Sequence, residues 1–134
     1  MEKIKISFIS EQNAVRSILA EAICSHLYGD KFEVYSAGNV PRSHIVCDVR
    51  KTLERNYGIV ACSDPKHLDE IPNVDITIIM GEDVVVDVSS KYVENFSLED
   101  PMHKLDEIFD LTCTIIELKL ERLVNKLDQK VITL

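Results

Sequence analysis

The residues with chemical potential are concentrated in one short stretch, Ser10-Glu11-Gln12-Asn13-Ala14-Val15-Arg16-Ser17. An apolar alternating run (Ile4, Ile6, Phe8) leads into it, and an amphipathic helical run from Ile18 to Leu27 leads out. A strand passing through a short loop into a helix N-terminus makes an anion cradle, because free backbone N–H groups meet there and the helix dipole favours negative charge. Arg16 ends the loop with a guanidinium that can fork onto two oxygens of a bound oxyanion. Asp100, the other chemically interesting position, follows a second strand-like run. Ligands of parallel sheets sit beyond the carboxyl ends of the strands, so one fold can bring Asp100 to the Ser10 loop.

The elements that must position these residues are readable from periodicity. Lys3 to Ile9 is a buried first strand, and Ser17 to Tyr28 a helix whose first residue, Ser17, can serve as an N-cap without being excluded from other bonds in the loop. Phe32 to Ala37 is a second strand, and Ser43 caps a helix from about Ile45 to Asn56. Ser63-Asp64-Pro65 opens a short helix to about Glu70, with Pro at its first position. Val74 to Met80 is an interior parallel strand and Tyr92 to Leu98 an edge strand. A long helix runs from Asp106 to about Lys126. Gly81 to Lys91 and the apolar tail, Val131 to Leu134, fit no single pattern. The alternation predicts one α/β domain over residues 1–134, a four-stranded parallel sheet with helices on both faces.

Bulk properties narrow the function. The net charge of −8 argues against a nucleic-acid backbone as partner, though not against one small phosphate held by local amides and an arginine. No apolar run reaches the ~20 residues that span a bilayer, and Met1-Glu2-Lys3 flows into a strand rather than a signal peptide, so a cytoplasmic monomer is expected. Cys24, Cys47, Cys62 and Cys113 lack C-x2-C spacing and read as reduced thiols; a zinc site drawn from them with His26, His44 and His67 matches no finger spacing. Neither a metal nor a cofactor is implied. A receiver-like domain needs clustered acids after the first strand, and a flavodoxin-like binder needs a Gly- and Thr-rich loop there; Ser10 to Ser17 supplies neither.

The chain resembles the low-molecular-weight phosphotyrosine phosphatases and the arsenate reductases that share their fold. Their signature is C-x5-R-[ST] after the first strand, followed by a helix near x-M-A-E-A. Asn13, Arg16, Ser17, Leu19, Ala20, Glu21 and Ala22 fit it. Val34-Tyr35-Ser36-Ala37-Gly38 is similar to the family's second strand and turn, and Tyr57-Gly58-Ile59 to its G-I segment. Asp75 to Met80 is similar to the third strand, and Asn95 to Pro101 resembles the H-W-G-F-x-D-P block of the reductases. The resemblance implies a loop, Ser10 to Ser17, that takes a phosphate-type oxyanion, free or on a phosphorylated protein or small molecule. It implies Arg16 as transition-state stabiliser, Ser17 as the hydrogen-bond partner of the first loop residue, Asn13 as the group that holds the loop's shape, and Asp100 as general acid.

The departure falls on the nucleophile. The family places a thiolate where this chain has Ser10, and an alcohol is far less acidic, with no His or Lys nearby in sequence as its base. By resemblance the chain is a phosphoric monoester hydrolase; as written it is inactive. Either Ser10 replaces a cysteine by design, or it is natural and the chain is a silent pseudophosphatase that binds a phospho-ligand. Thioredoxin-coupled reduction needs two further cysteines between the third strand and the D-P block, and Gly81 to Glu99 contains none. The aromatic pair that follows D-P in many phosphatases is Met102-His103 here, and Tyr35, Tyr92 and His44 are the remaining candidates for a rim.

Overall fold

The computed structural model describes residues 2–134; Met1, part of the N-terminal stretch read above, lies outside them. Four strands, β1 (Ile4–Ile9), β2 (Phe32–Ala37), β3 (Ile76–Ile79) and β4 (Tyr92–Asn95), form one parallel sheet in the order β2-β1-β3-β4. Three α-helices accompany them: α1 (Arg16–Tyr28), α2 (Cys47–Tyr57) and α3 (Asp106–Asp128). The expected four-stranded parallel α/β architecture is present.

Strand alternation divides the sheet into two unequal faces. Ile6 and Phe8 of β1, Phe32 of β2, Ile76 and Ile78 of β3 and Phe96 just past β4 point into the main core. All three α-helices meet them there, through Ile18, Leu19 and Ile23 of α1, Val49 and Leu53 of α2, and Phe109, Ile116 and Leu120 of α3. Each fully buried side chain of this size is worth about 1.5–3 kcal/mol relative to exposure, so this layer holds the fold together. Helix α2 is tied to α3 by Arg55, whose Nη2 donates to Asp110 at 2.5 Å, and by Tyr57, whose hydroxyl donates to Glu117.

The second face carries less. Its apolar cluster is Ile9, Ala37 and Val84, with Leu68, Ile71, Ile79 and Val86 packed on it. The helical cover expected there is a single 3-10 turn, Leu68–Glu70, plus the irregular chain from Gly81 to Lys91. Ser63-Asp64-Pro65 does not open a helix; the turn is capped by His67, whose Nδ1 accepts from the Asp69 N–H at 3.0 Å. This face is also more polar: Ser7 and Thr77 are buried on it, and Thr77 pairs with Ser90 at 2.6 Å.

Two boundaries differ from expectation for visible local reasons. Helix α2 starts at Cys47 behind Val46, with no side-chain cap, so Ser43 stays in the loop. Strand β4 stops at Asn95 because Ser97 takes a left-handed φ of 53° and Asn95 Oδ1 accepts its N–H at 2.7 Å, a turn that breaks the ladder. The tail is irregular, with Ile132 packed on the main core.

What matters for chemistry is the carboxyl edge. The register aligns Ala37, Ile9, Ile79 and Asn95 in one row across the four strands. Strand order reverses at β1, with β2 on one side and β3 on the other, which is where parallel sheets open a crevice.

Candidate functional site

The loop between β1 and α1 opens at this crevice, held by three buried polar side chains. Ser10 Oγ and Ser17 Oγ share a hydrogen bond of 2.5 Å, and Asn13 Nδ2 donates to Ser17 Oγ at 2.8 Å. Asn13 Oδ1 accepts from the Lys66 N–H at 2.8 Å, which ties the loop to the segment before the 3-10 turn. Asn13 has φ 47°, a left-handed conformation that asparagine tolerates better than most residues, and it is fully buried. Ser17 is therefore the centre of the loop's polar network rather than a helix cap; the residue before α1 is Val15, with no side-chain cap bond.

Gly38, just past β2, lets the loop sit against the sheet. A Cβ there would lie 2.6 Å from Ser10 O and 2.7 Å from Asn13 N. The backbone then ties off the loop's outer side, with Val40 N–H donating to Glu11 O and Arg42 N–H to Gln12 O, both at 2.9 Å.

The loop's own N–H groups are left over. No N–H from Glu11 through Ser17 donates to an acceptor among the described residues. Asn13, Ala14, Val15, Arg16 and Ser17 are all buried, and buried backbone donors are satisfied in the great majority of folded proteins.

Arg16 is only 4% exposed although it carries a charge. Its Nη1 donates to Leu98 O at 2.9 Å and to Met80 O at 3.4 Å, carbonyls just beyond β4 and β3. Both Nη atoms donate to Asp83, Nη1 to Oδ1 and Nη2 to Oδ2, each at 2.8 Å. That hydrogen bonding holds the Asp83 carboxyl below its usual range. Sequence reasoning missed Asp83, which sits in the segment that fits no periodic pattern. Its only sequence signal was an acid a few residues past the carboxyl end of β3.

One hollow of about 260 Å³ is lined by Ser10, Glu11, Gln12, Ala14, Val15, Arg16, Asp83 and Asp100. The fold thus brings Asp100 to the same cavity as the loop, as expected. Its Oδ1 also accepts the Met102 N–H at 3.0 Å, an Asx turn that fixes the carboxylate's direction. Asn13 and Ser17 stand behind the wall as its supports. Tyr35, Tyr92 and His44 do not line this hollow; His44 borders a neighbouring one with Arg42, Met102 and His103.

None of the four cysteines lines the hollow either. Burial pushes the Cys24 and Cys113 thiols up to about 12, so both are inert at neutral pH. Among the described residues, no group of three or more His, Cys, Asp or Glu is arranged to hold a metal, and no helix is long and apolar enough to cross a membrane.

Comparison with known proteins agrees with this geometry. The family model for low molecular weight phosphotyrosine protein phosphatase matches residues 5–133. Among solved structures, an arsenate reductase in its phosphate-binding state superposes with a TM-score of 0.79 at 22% identity, covering 92% of this chain and 98% of that one. A low molecular weight protein tyrosine phosphatase from T. tengcongensis gives 0.78 at 19% identity, over 92% and 99% of the two chains. One from Bacillus subtilis gives 0.79 at 17%, over 96% and 100%. No curated protein sequence matches the chain.

Proposed function

The chain belongs to the low molecular weight phosphotyrosine protein phosphatase family, and from that premise we propose that its Ser10–Ser17 loop binds a phosphate-type oxyanion without hydrolysing a phosphate ester. One observation carries the reading: a row of backbone N–H groups with no acceptor among the described residues runs into the buried guanidinium of Arg16. Such donors at a helix N-terminus suit a phosphate, sulfate or arsenate. That a similar structure is an arsenate reductase in a phosphate-binding state supports an anion of this shape.

Turnover needs a nucleophile that the chain lacks. The Ser10 hydroxyl is bonded to another hydroxyl, and no His or Lys lines the hollow to take its proton. The reductase relay is missing as well, since Gly81 to Glu99 holds no cysteine. The chain therefore acts as a binding module for a free oxyanion or for a phosphorylated protein or small molecule. We place it in the cytoplasm, as a monomer.

A second reading rests on what the hollow retains. Arg16, Asp100 and position 10 line the same cavity, and Ser17 supports position 10 from behind. With a thiolate at position 10 that set supplies nucleophile, charge stabilisation and general acid. On this reading Ser10 stands in for a cysteine and the protein is a phosphatase.

Calorimetric titration with inorganic phosphate tests the first reading. A dissociation constant in the millimolar range or tighter is expected, and Arg16→Ala should abolish the signal. Absence of heat at about tens of millimolar phosphate, where a millimolar site saturates, would overturn it.

A further inference from the structure

We propose that Asp83 is an internal occupant of the oxyanion site: its carboxylate competes with an incoming anion for the Arg16 guanidinium and so sets the affinity of the loop. The inference rests on the oxyanion reading of the loop and adds how that site is controlled.

The Asp83 carboxylate meets Arg16 as two parallel N–H···O bonds of 2.8 Å, the arrangement in which a guanidinium also takes two oxygens of a phosphate. The contact lies in the anion hollow itself, because Asp83 lines the cavity together with Ser10, Gln12 and Arg16. Arg16 is the only cationic side chain in that lining, and Glu11, Asp83 and Asp100 are all acids. With Asp83 in place the guanidinium charge is already neutralised. A dianion entering the hollow then meets like charges before it meets a free cation.

The contact is built into this chain at a second position. Gly81 is where a side chain would be impossible with the pair formed: a Cβ there would collide with Arg16 Nη1 and with Asp83 Oδ1. The two partners also differ in mobility. Arg16 is held from behind by the Leu98 and Met80 carbonyls and is 4% exposed. The Asp83 side chain is 59% exposed, on a segment with neither helix nor strand. The anchors beside it are Val84, packed in the small cluster of the second face, and Asn39 Nδ2 donating to Val85 O at 2.8 Å. When the two separate, Asp83 is therefore the partner that moves, turning its carboxylate into solvent while Arg16 stays at the loop.

The test is calorimetric titration of inorganic phosphate into the wild type, Asp83→Asn and Asp83→Ala at neutral pH, with folding followed by circular dichroism. Both variants should bind phosphate more tightly than the wild type, by roughly tenfold or more. Equal or weaker binding in folded variants would overturn the inference while leaving the loop's oxyanion role intact, since Asp83 would then be a bystander or a support that holds Arg16 for the anion. Absence of phosphate binding in all three proteins would overturn both. A measurement that needs no variant is the carboxyl ¹³C resonance of Asp83 in the wild type. It should shift toward that of a solvated aspartate as phosphate saturates the site, and an unchanged resonance at saturation would overturn the inference.

Discussion

Ser10 Oγ and Ser17 Oγ lie 2.5 Å apart across the loop, and Asn13 Nδ2 donates to the same Ser17 oxygen at 2.8 Å. With its oxygen receiving the asparagine proton, Ser17 still has its own proton free to give to an acceptor at position 10. A hydroxyl there gains one hydrogen bond. A thiolate there would be stabilised as an anion by that bond and by the N-terminus of α1.

Ser10→Cys should therefore create or restore hydrolysis of p-nitrophenyl phosphate, and the wild type should show none above background. The new thiol should titrate below the ordinary cysteine value of about 8.5, read from the pH dependence of its alkylation. A folded cysteine variant that stays inert on p-nitrophenyl phosphate and on phosphotyrosine favours the silent pseudophosphatase, because the rest of the site must then fall short as well.

Asp100→Asn in the Ser10→Cys background should slow turnover by roughly 10²–10⁴-fold, the usual worth of a positioned general acid. Phosphate affinity should hold or improve, because one acid leaves the hollow. Asp100 also forms a turn with Met102 N–H, and asparagine keeps that turn through its own carbonyl oxygen. An unchanged rate in the folded variant would remove Asp100 from the mechanism and leave it the turn alone.

Asn13→Ala should act on stability first. It removes the acceptor of the half-buried Lys66 N–H and the buried donor to Ser17, and it forces alanine into a left-handed backbone. The loss should be about 2–4 kcal/mol, measured by urea denaturation, since an orphaned buried group alone costs about 1–3 kcal/mol. Asn13→Asp keeps the acceptor for Lys66 and should fold better than the alanine variant; equal stability of the two would sink this account of the loop.

The Arg16–Asp83 pair gives a signed pH dependence. The hydrogen bonds from Arg16 lower the Asp83 carboxyl in the folded state, so its stabilisation is fully present above the unfolded value of about 3.9 and is lost as pH falls through the still lower folded value. Asp83→Asn should thus lower the thermal midpoint slightly at pH 7, and the gap from the wild type should close as pH falls through the lowered folded-state value. The effect should be modest because the carboxylate is largely exposed. A gap that persists in acid would assign it to something other than this ion pair.

The sequence alone carried the elements and the loop. Ile4, Ile6 and Phe8 alternate, Ile18, Leu19 and Ile23 recur at helical spacing, and between them stands a short polar segment ending in Arg16. These are local signals, because alternation and helical period are properties of neighbouring residues, and a strand–loop–helix join leaves N–H groups unpaired wherever it occurs. Asp100 was legible by another route, the resemblance of Asn95 to Pro101 to the D-P block of the reductases, with its place past a strand's end in agreement. Tertiary structure decided the rest. The resemblance already implied a bond from Ser17 to position 10, but only the folded loop showed that Asn13 shares the same hydroxyl. The stretch after Ser63 has the composition of a helix start, yet the thin second face settled it as a chain ending in one 3-10 turn. Above all, Arg16 and Asp83 are 67 residues apart, and no periodicity links them. Their meeting depends on β1 and β3 pairing in register, which places the two loop ends side by side at the carboxyl edge. An ion pair across that distance is a property of the sheet, and it exists only once the sheet has formed.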